Sequence, residues 1–143
     1  MNSYPVLTAV VPDIIPSIAT LRHQSKELCV CYYLKNQKVL EKSTFTSQRK
    51  NLLVLQPRVL FKGIITTSAN QLLLIHNHPS NSCYPSRADL KTTELLAEMG
   101  NFFEYQLLDH IIVTTEEYFS FEEAGLIESY NQKTAEITKN HFV

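Results

Sequence analysis

Four apolar residues, Leu72-Leu73-Leu74-Ile75, run straight into His76-Asn77-His78-Pro79, and no other passage constrains the fold as tightly. A continuous apolar run this short reads as a strand buried within a sheet. His76 and His78 stand at i and i+2 where that strand ends, so both imidazoles leave the same face. The loop from Asn77 to Pro85 holds two prolines, two serines and two asparagines. Ser86 then reads as a helix N-cap, with Leu90, Leu95 and Leu96 as apolar positions and Gly100 as the end of the helix.

The flanking chain supplies the rest of the sheet and its cover. A short helix is expected from Ile14 to Gln24, after Pro5 and Pro12 and around Pro16. Glu27 to Leu34 is rich in strand formers, Lys35-Asn36-Gln37-Lys38 makes a turn, and Val39 to Phe45 returns as a hairpin partner. Pro57 suits the first turn of a helix carrying Val59, Leu60, Gly63 and Ile64 to about Asn70. Phe102 to Leu108 and His110 to Thr114 read as two further strands. Thr115-Glu116-Glu117 turns into Tyr118 to Phe121, and the last polar stretch reads as a frayed helix. Strands mixed with helices without strict alternation define an α/β or α+β domain.

With 143 residues, 44% of them hydrophobic, the chain fits one domain and needs no disulfide staples. The expected division is an N-terminal extension with a short helix over 1–25, the domain proper over 26–128, and a polar tail over 129–143. Three cysteines are an odd count for a secreted framework, Met1 to Pro5 lacks the start of a signal peptide, and no apolar stretch spans a bilayer. A cytoplasmic location without membrane contact is expected. Thirteen Lys+Arg stand against fourteen Asp+Glu with no dense basic cluster, which disfavours nucleic acid as a partner unless folding gathers Lys42, Arg49, Lys50, Arg58 and Lys62. Exposed strand edges allow a homodimer.

Asp89 lies one helical turn after Ser86, close enough to share a point with the two imidazoles. Two imidazoles and a carboxylate leave a fourth tetrahedral position open, the plan of a catalytic zinc site. Each part has a plainer reading. Ser86-x-x-Asp89 is also a capping pattern, and His-x-His is common in polar loops. The joint spacing of strand, loop, cap and carboxylate favours the metal.

The spacing His76-x-His78, seven residues, then Ser86-x-x-Asp89 matches the JAMM motif of the JAB/MPN metalloprotease domains. Leu73 to Ser80, Pro85-Ser86-x-x-Asp89, Leu108-Asp109-His110-Ile111-Ile112-Val113 and the closing Tyr118-x-Ser120-Phe121-x-Glu123-x-Gly125-Leu126 together resemble the bacterial RadC-like branch, over roughly Arg22 to Ile127. The resemblance implies a JAB/MPN fold, a curved mixed sheet flanked by helices and similar to the cytidine-deaminase architecture. It implies zinc on His76, His78 and Asp89, and Ser86 as the oxyanion donor. It also implies an upstream glutamate as general base, for which Glu27, in its Glu-x-apolar-x-apolar context, is the first candidate and Glu41 the second. The plain reading of Glu27 is a charge at a strand edge. That branch typically carries a preceding helix-hairpin-helix region, which this sequence is expected to lack. Asn81 stands where the family has glycine after His-Pro-Ser, and Asn also visits positive φ. Thr46-Ser47-Gln48 and Leu55 to Val59 only loosely match two further family segments.

Asp109 and His110 are candidates to support the metal ligands through hydrogen bonds, or to make a structural bond near the sheet edge. Cys29 and Cys31 read as core thiols and Cys83 as a free loop thiol. The resemblance thus points to a zinc-dependent metallopeptidase or isopeptidase acting on a peptide or isopeptide. A DNA-repair-associated role and a non-catalytic MPN scaffold are the alternatives. A zinc deaminase needs His-x-Glu and Pro-Cys-x-x-Cys, and neither occurs.

Overall fold

A computed structural model describes residues 11–46 and 55–142. Met1 to Pro5, Ser47, Gln48, Arg49, Lys50 and Val143 therefore lie outside the described residues. Strands β1 (Leu28–Lys35), β2 (Lys38–Thr46), β3 (Gln71–Asn77), β4 (Gln106–Val113) and β5 (Tyr118–Ser120) form one sheet in the order β2-β1-β3-β4-β5. Only β3 and β4 run parallel; the other neighbours are antiparallel. Helices α1 (Ile14–Arg22), α2 (Pro57–Thr67), α3 (Arg87–Phe103) and α4 (Leu126–Phe142) cover its faces. This is the mixed sheet flanked by helices expected of a JAB/MPN domain.

The central strands are buried on both sides, which is why they read as continuous apolar runs. Cys29, Cys31 and Tyr33 of β1 and Leu72 and Leu74 of β3 pack with Leu60, Ile64, Leu96, Ala97 and Ile127 from α2, α3 and α4. The alternate residues Val30, Tyr32, Leu34, Leu73 and Ile75 pack with Ile14, Ile18 and Leu21 of α1. The β1–β2 hairpin closes at Asn36 and Gln37, both at positive φ (50° and 70°), as a two-residue loop matched to strand twist requires. Cys29 and Cys31 are buried as expected.

Several boundaries differ from the sequence reading. α1 stops at Arg22, not Gln24, and the Arg22 guanidinium donates to the carbonyls of Thr114 (2.6 Å) and Glu117 (3.1 Å). α2 ends at Thr67, where Ser68 turns left-handed at φ 60°. Gly100 does not end α3, which runs to Phe103 and closes at Glu104 with φ 61°. Phe102 and Phe103 are strand formers by type, yet they sit on the last helical turn, 52% and 58% exposed. Phe102 to Leu108 and His110 to Thr114 are not two strands: Gln106–Val113 is one, because Asp109 between them is buried and hydrogen-bonded rather than in a turn. Residues 129–142, expected as a polar tail with a frayed helix, lie in α4, which packs along α3 with Ile127 and Thr134 buried. Asn81 is not among the residues at positive φ. Cys83 is a free thiol in the loop, as expected, and it is buried at 6% exposed.

Candidate metal centre

The parallel pairing of β3 with β4 requires a crossover, and α3 supplies it. The carboxyl end of β3 and the amino end of α3 therefore meet, the usual place for a site in such a unit. His76 and His78 continue the face of Leu72 and Leu74, so both imidazoles point to the α3 side. His76 is 2% exposed and registers between Cys29 of β1 and Ile112 of β4. The His78 amide donates to the Val113 carbonyl at 2.9 Å, holding the start of the loop on the sheet.

Ser86 caps α3 with a reciprocal box: the Asp89 amide donates to Ser86 Oγ (3.1 Å) and the Ser86 amide to Asp89 Oδ2 (2.9 Å). The cap also aims the carboxylate. Asp89 Oδ2 lies 3.1 Å from His78 Nε2, and Oδ1 lies 3.6 Å from His76 Nε2. Capping therefore does not draw the carboxylate away from the histidines: Asp89 meets the Ser86 amide and both imidazoles at once. Glu27 sits one residue before β1, and its Oε1 is 3.8 Å from His78 Nε2. Glu27, His76 and His78 each offer one ligand atom within 4.8 Å of the others. Glu41 lies on β2, whose pairing partner is the β1 residue Tyr33, toward the far end of that strand.

Asn77, which no sequence argument singled out, holds Glu27 in place. Its side chain accepts from the Leu28 amide (2.6 Å) and donates to the carbonyls of Lys26 (2.9 Å) and Gln24 (3.3 Å). His110 and Asp109 divide. His110 Nε2 is 2.7 Å from His76 Nδ1, and its ring stacks on Phe121 with centroids 4.8 Å apart. Asp109 instead accepts from Ser120 Oγ (2.6 Å) and the Glu122 amide (2.9 Å), a structural tie from β4 to the segment after β5. Cys83 Sγ donates to Glu117 at 3.6 Å, away from the histidines.

Burial and charge set the ionisation. Burial holds the His76 imidazole well below its ordinary range, seconded by His110, so it is neutral. Burial likewise pushes His110 down to about 4. Burial also opposes charge on His78, but the Asp89 hydrogen bond, the Ser82 carbonyl and the Asp89 and Glu27 charges outweigh it and raise its pKa. Asp89 is partly buried, yet the His78 bond, His76 and the Ser86 amide hold it well below the usual carboxylate range.

The donor set fits a divalent cation. His78 Nδ1 is engaged by the Ser82 carbonyl at 3.0 Å, so Nδ1 carries the proton and Nε2 faces the carboxylates. Ligand atoms about 2.1 Å from a shared zinc ion stand about 3.4 Å apart, and the Asp89 oxygens lie 3.1 and 3.6 Å from the two Nε2 atoms. An open cleft of about 560 Å³ reaches the site, lined by Gln24, Ser25, Glu27, His78, Pro79 and Ser80.

Fold and site together define a JAB-type domain with a histidine–carboxylate cluster able to hold a metal ion. The sequence model of the RadC-like JAB domain matches residues 11–126, taking in α1. A UPF0758 protein of Chlorobium chlorochromatii is 39% identical over 106 residues, 73% of this chain and 47% of its own length. A UPF0758 protein of Halalkalibacterium halodurans is 40% identical over 107 residues, 73% of this chain and 46% of its own. One from Geobacillus kaustophilus is 38% identical over 109 residues, 75% of this chain and 48% of its own. The chain belongs to the RadC-like JAB domain family, and it spans about half the length of the curated relatives it matches. Among the described residues no helix is long and apolar enough to cross a membrane.

Proposed function

We propose that the domain is a zinc-dependent hydrolase of peptide or isopeptide bonds. The observation that carries this reading is the convergence of His76 Nε2 and His78 Nε2 on the Asp89 carboxylate, with Glu27 opposite at the mouth of the cleft. His76, His78 and Asp89 are the proposed ligands. Zinc bound there supplies Lewis acidity toward the scissile carbonyl and a water of lowered pKa.

The chain's own residues do the rest. Asp89 approaches both histidines more closely than Glu27 does, which favours Asp89 as ligand and leaves Glu27 one step out. From there Glu27 takes a proton from the attacking water and delivers it to the departing nitrogen. Ser86 Oγ accepts from the Asp89 amide, so its own proton remains to donate to the oxygen that gains charge. Asn77 keeps Glu27 at the correct height. The free thiols Cys29, Cys31 and Cys83 suit a reducing, cytosolic compartment.

The test is hydrolysis of fluorogenic peptide and isopeptide substrates by the zinc-loaded protein. Glu27→Gln should keep its metal and lose about 10²–10⁴-fold in rate. Ser86→Gly removes the hydroxyl for only a few tenths of a kcal/mol in capping, and should lose about 10²–10³-fold in kcat. A Glu27→Gln variant as active as the parent would reject Glu27 as the base.

A further inference from the structure

One chain of hydrogen bonds behind the site has a direction that its geometry dictates. Thr93, fully buried on α3, brings Oγ1 to 2.6 Å from the Asp89 carbonyl oxygen and to 2.7 Å from His110 Nδ1. A threonine has one hydroxyl proton, and a carbonyl oxygen can only accept. Two oxygens 2.6 Å apart require that proton between them, so Thr93 donates to Asp89. His110 Nδ1 must then be the donor to Thr93. His110 is fully buried and so neutral, which leaves Nε2, 2.7 Å from His76 Nδ1, with a lone pair, and His76 Nδ1 must donate to it. The lone pair of His76 is thereby forced onto Nε2, the nitrogen that faces Asp89 Oδ1.

We propose that Thr93 and His110 are positioning residues that lock His76 in the one tautomer able to bind a metal through Nε2. The order runs from His76 Nδ1–H to His110 Nε2, from His110 Nδ1–H to Thr93 Oγ1, and from Thr93 Oγ1–H to the Asp89 carbonyl. It begins on one proposed ligand and ends on the backbone of another, so the tautomer of His76 and the place of Asp89 are set together. Phe121, stacked on His110 at an interplanar angle of 5°, holds that ring in the plane the two bonds need. The metal part of this inference rests on the reading of His76 and Asp89 as ligands; the tautomer part does not. Without the Thr93 hydroxyl, His110 Nδ1–H loses its acceptor, and the pair can reverse so that His76 carries its proton on Nε2, where it blocks the ligand position.

Long-range ¹H–¹⁵N spectra of the imidazoles, recorded on the metal-free protein, test the chain directly. His76 and His110 should both appear protonated at Nδ1 in the parent and in Thr93→Ser, which keeps the hydroxyl. Thr93→Val, close in shape, should shift both rings toward the Nε2–H form. Zinc titrated against a competing chelator should then bind about 10–100-fold more weakly to Thr93→Val than to the parent or Thr93→Ser. Backbone amide spectra check that both variants fold. A parent protein with His76 protonated at Nε2, or a Thr93→Val spectrum unchanged from the parent, overturns the proposal. Correct tautomers with equal zinc affinity in all three proteins would overturn the claim that the lock serves the metal. Correct tautomers with no zinc bound by the parent would overturn the metal centre and leave the ordered chain standing.

Discussion

At the scale of single residues, the site separates into groups adjacent in sequence and groups joined only by folding. His76, His78, Ser86 and Asp89 were legible because strand alternation and one helical turn place them within a short stretch. Asn77 was not, because its partners Gln24, Lys26 and Leu28 are 49–53 residues away and nothing local marks it. Thr93 left a faint signal, four residues after Asp89 and so on the same helical face, but its contact with His110 exists only once β4 lies beside β3. Asn77 yields a sharp expectation. Asn77→Ala strands the Leu28 amide and frees the segment carrying Glu27. It should cost about 1–3 kcal/mol in stability and lower kcat while zinc stays bound. Metal analysis beside steady-state kinetics checks this; an unchanged kcat would show that Glu27 does not depend on the clamp.

At the scale of elements, the central strands were read correctly because burial on both faces writes itself into composition. The end of α3 is not legible in the same way, because Gly100 has the residue type of a helix stop while its role is steric. A Cβ at Gly100 would meet the Tyr105 carbonyl oxygen at 2.5 Å, and the Tyr105 amide donates to the Gly100 carbonyl at 3.0 Å. The glycine lets the chain fold back against the helix so that buried Tyr105 can lead into β4. In an open helix, alanine for glycine gains up to about 1 kcal/mol. Here Gly100→Ala should instead destabilise by about 1–3 kcal/mol, since backbone, not a movable side chain, must shift. A urea midpoint that rises rather than falls would contradict this account of the α3–β4 corner.

At the scale of the whole molecule, a sheet buried on both faces keeps several titratable groups neutral. Burial pushes the Cys31 thiol and the Tyr32 hydroxyl up to about 12, and Cys29 well above its ordinary range. In the unfolded chain these groups titrate at about 8.5 for Cys and about 10 for Tyr, so as pH rises the unfolded state loses its protons first. Their contribution to stability is fully present below about pH 8.5 and is lost as pH climbs toward 12. Urea midpoints should fall steadily above about pH 8; a flat profile from about pH 8 to about pH 11 would mean that these groups ionise as readily folded as unfolded. The fold brings the end of β3 to the start of α3, and the proposed function needs a metal ion where they meet. Its most direct test is the metal content of the purified protein beside His78→Ala and Asp89→Ala. Near-stoichiometric zinc in the parent, lost from both variants, is the expected result. A parent that holds no zinc as purified and takes up none on reconstitution would contradict it.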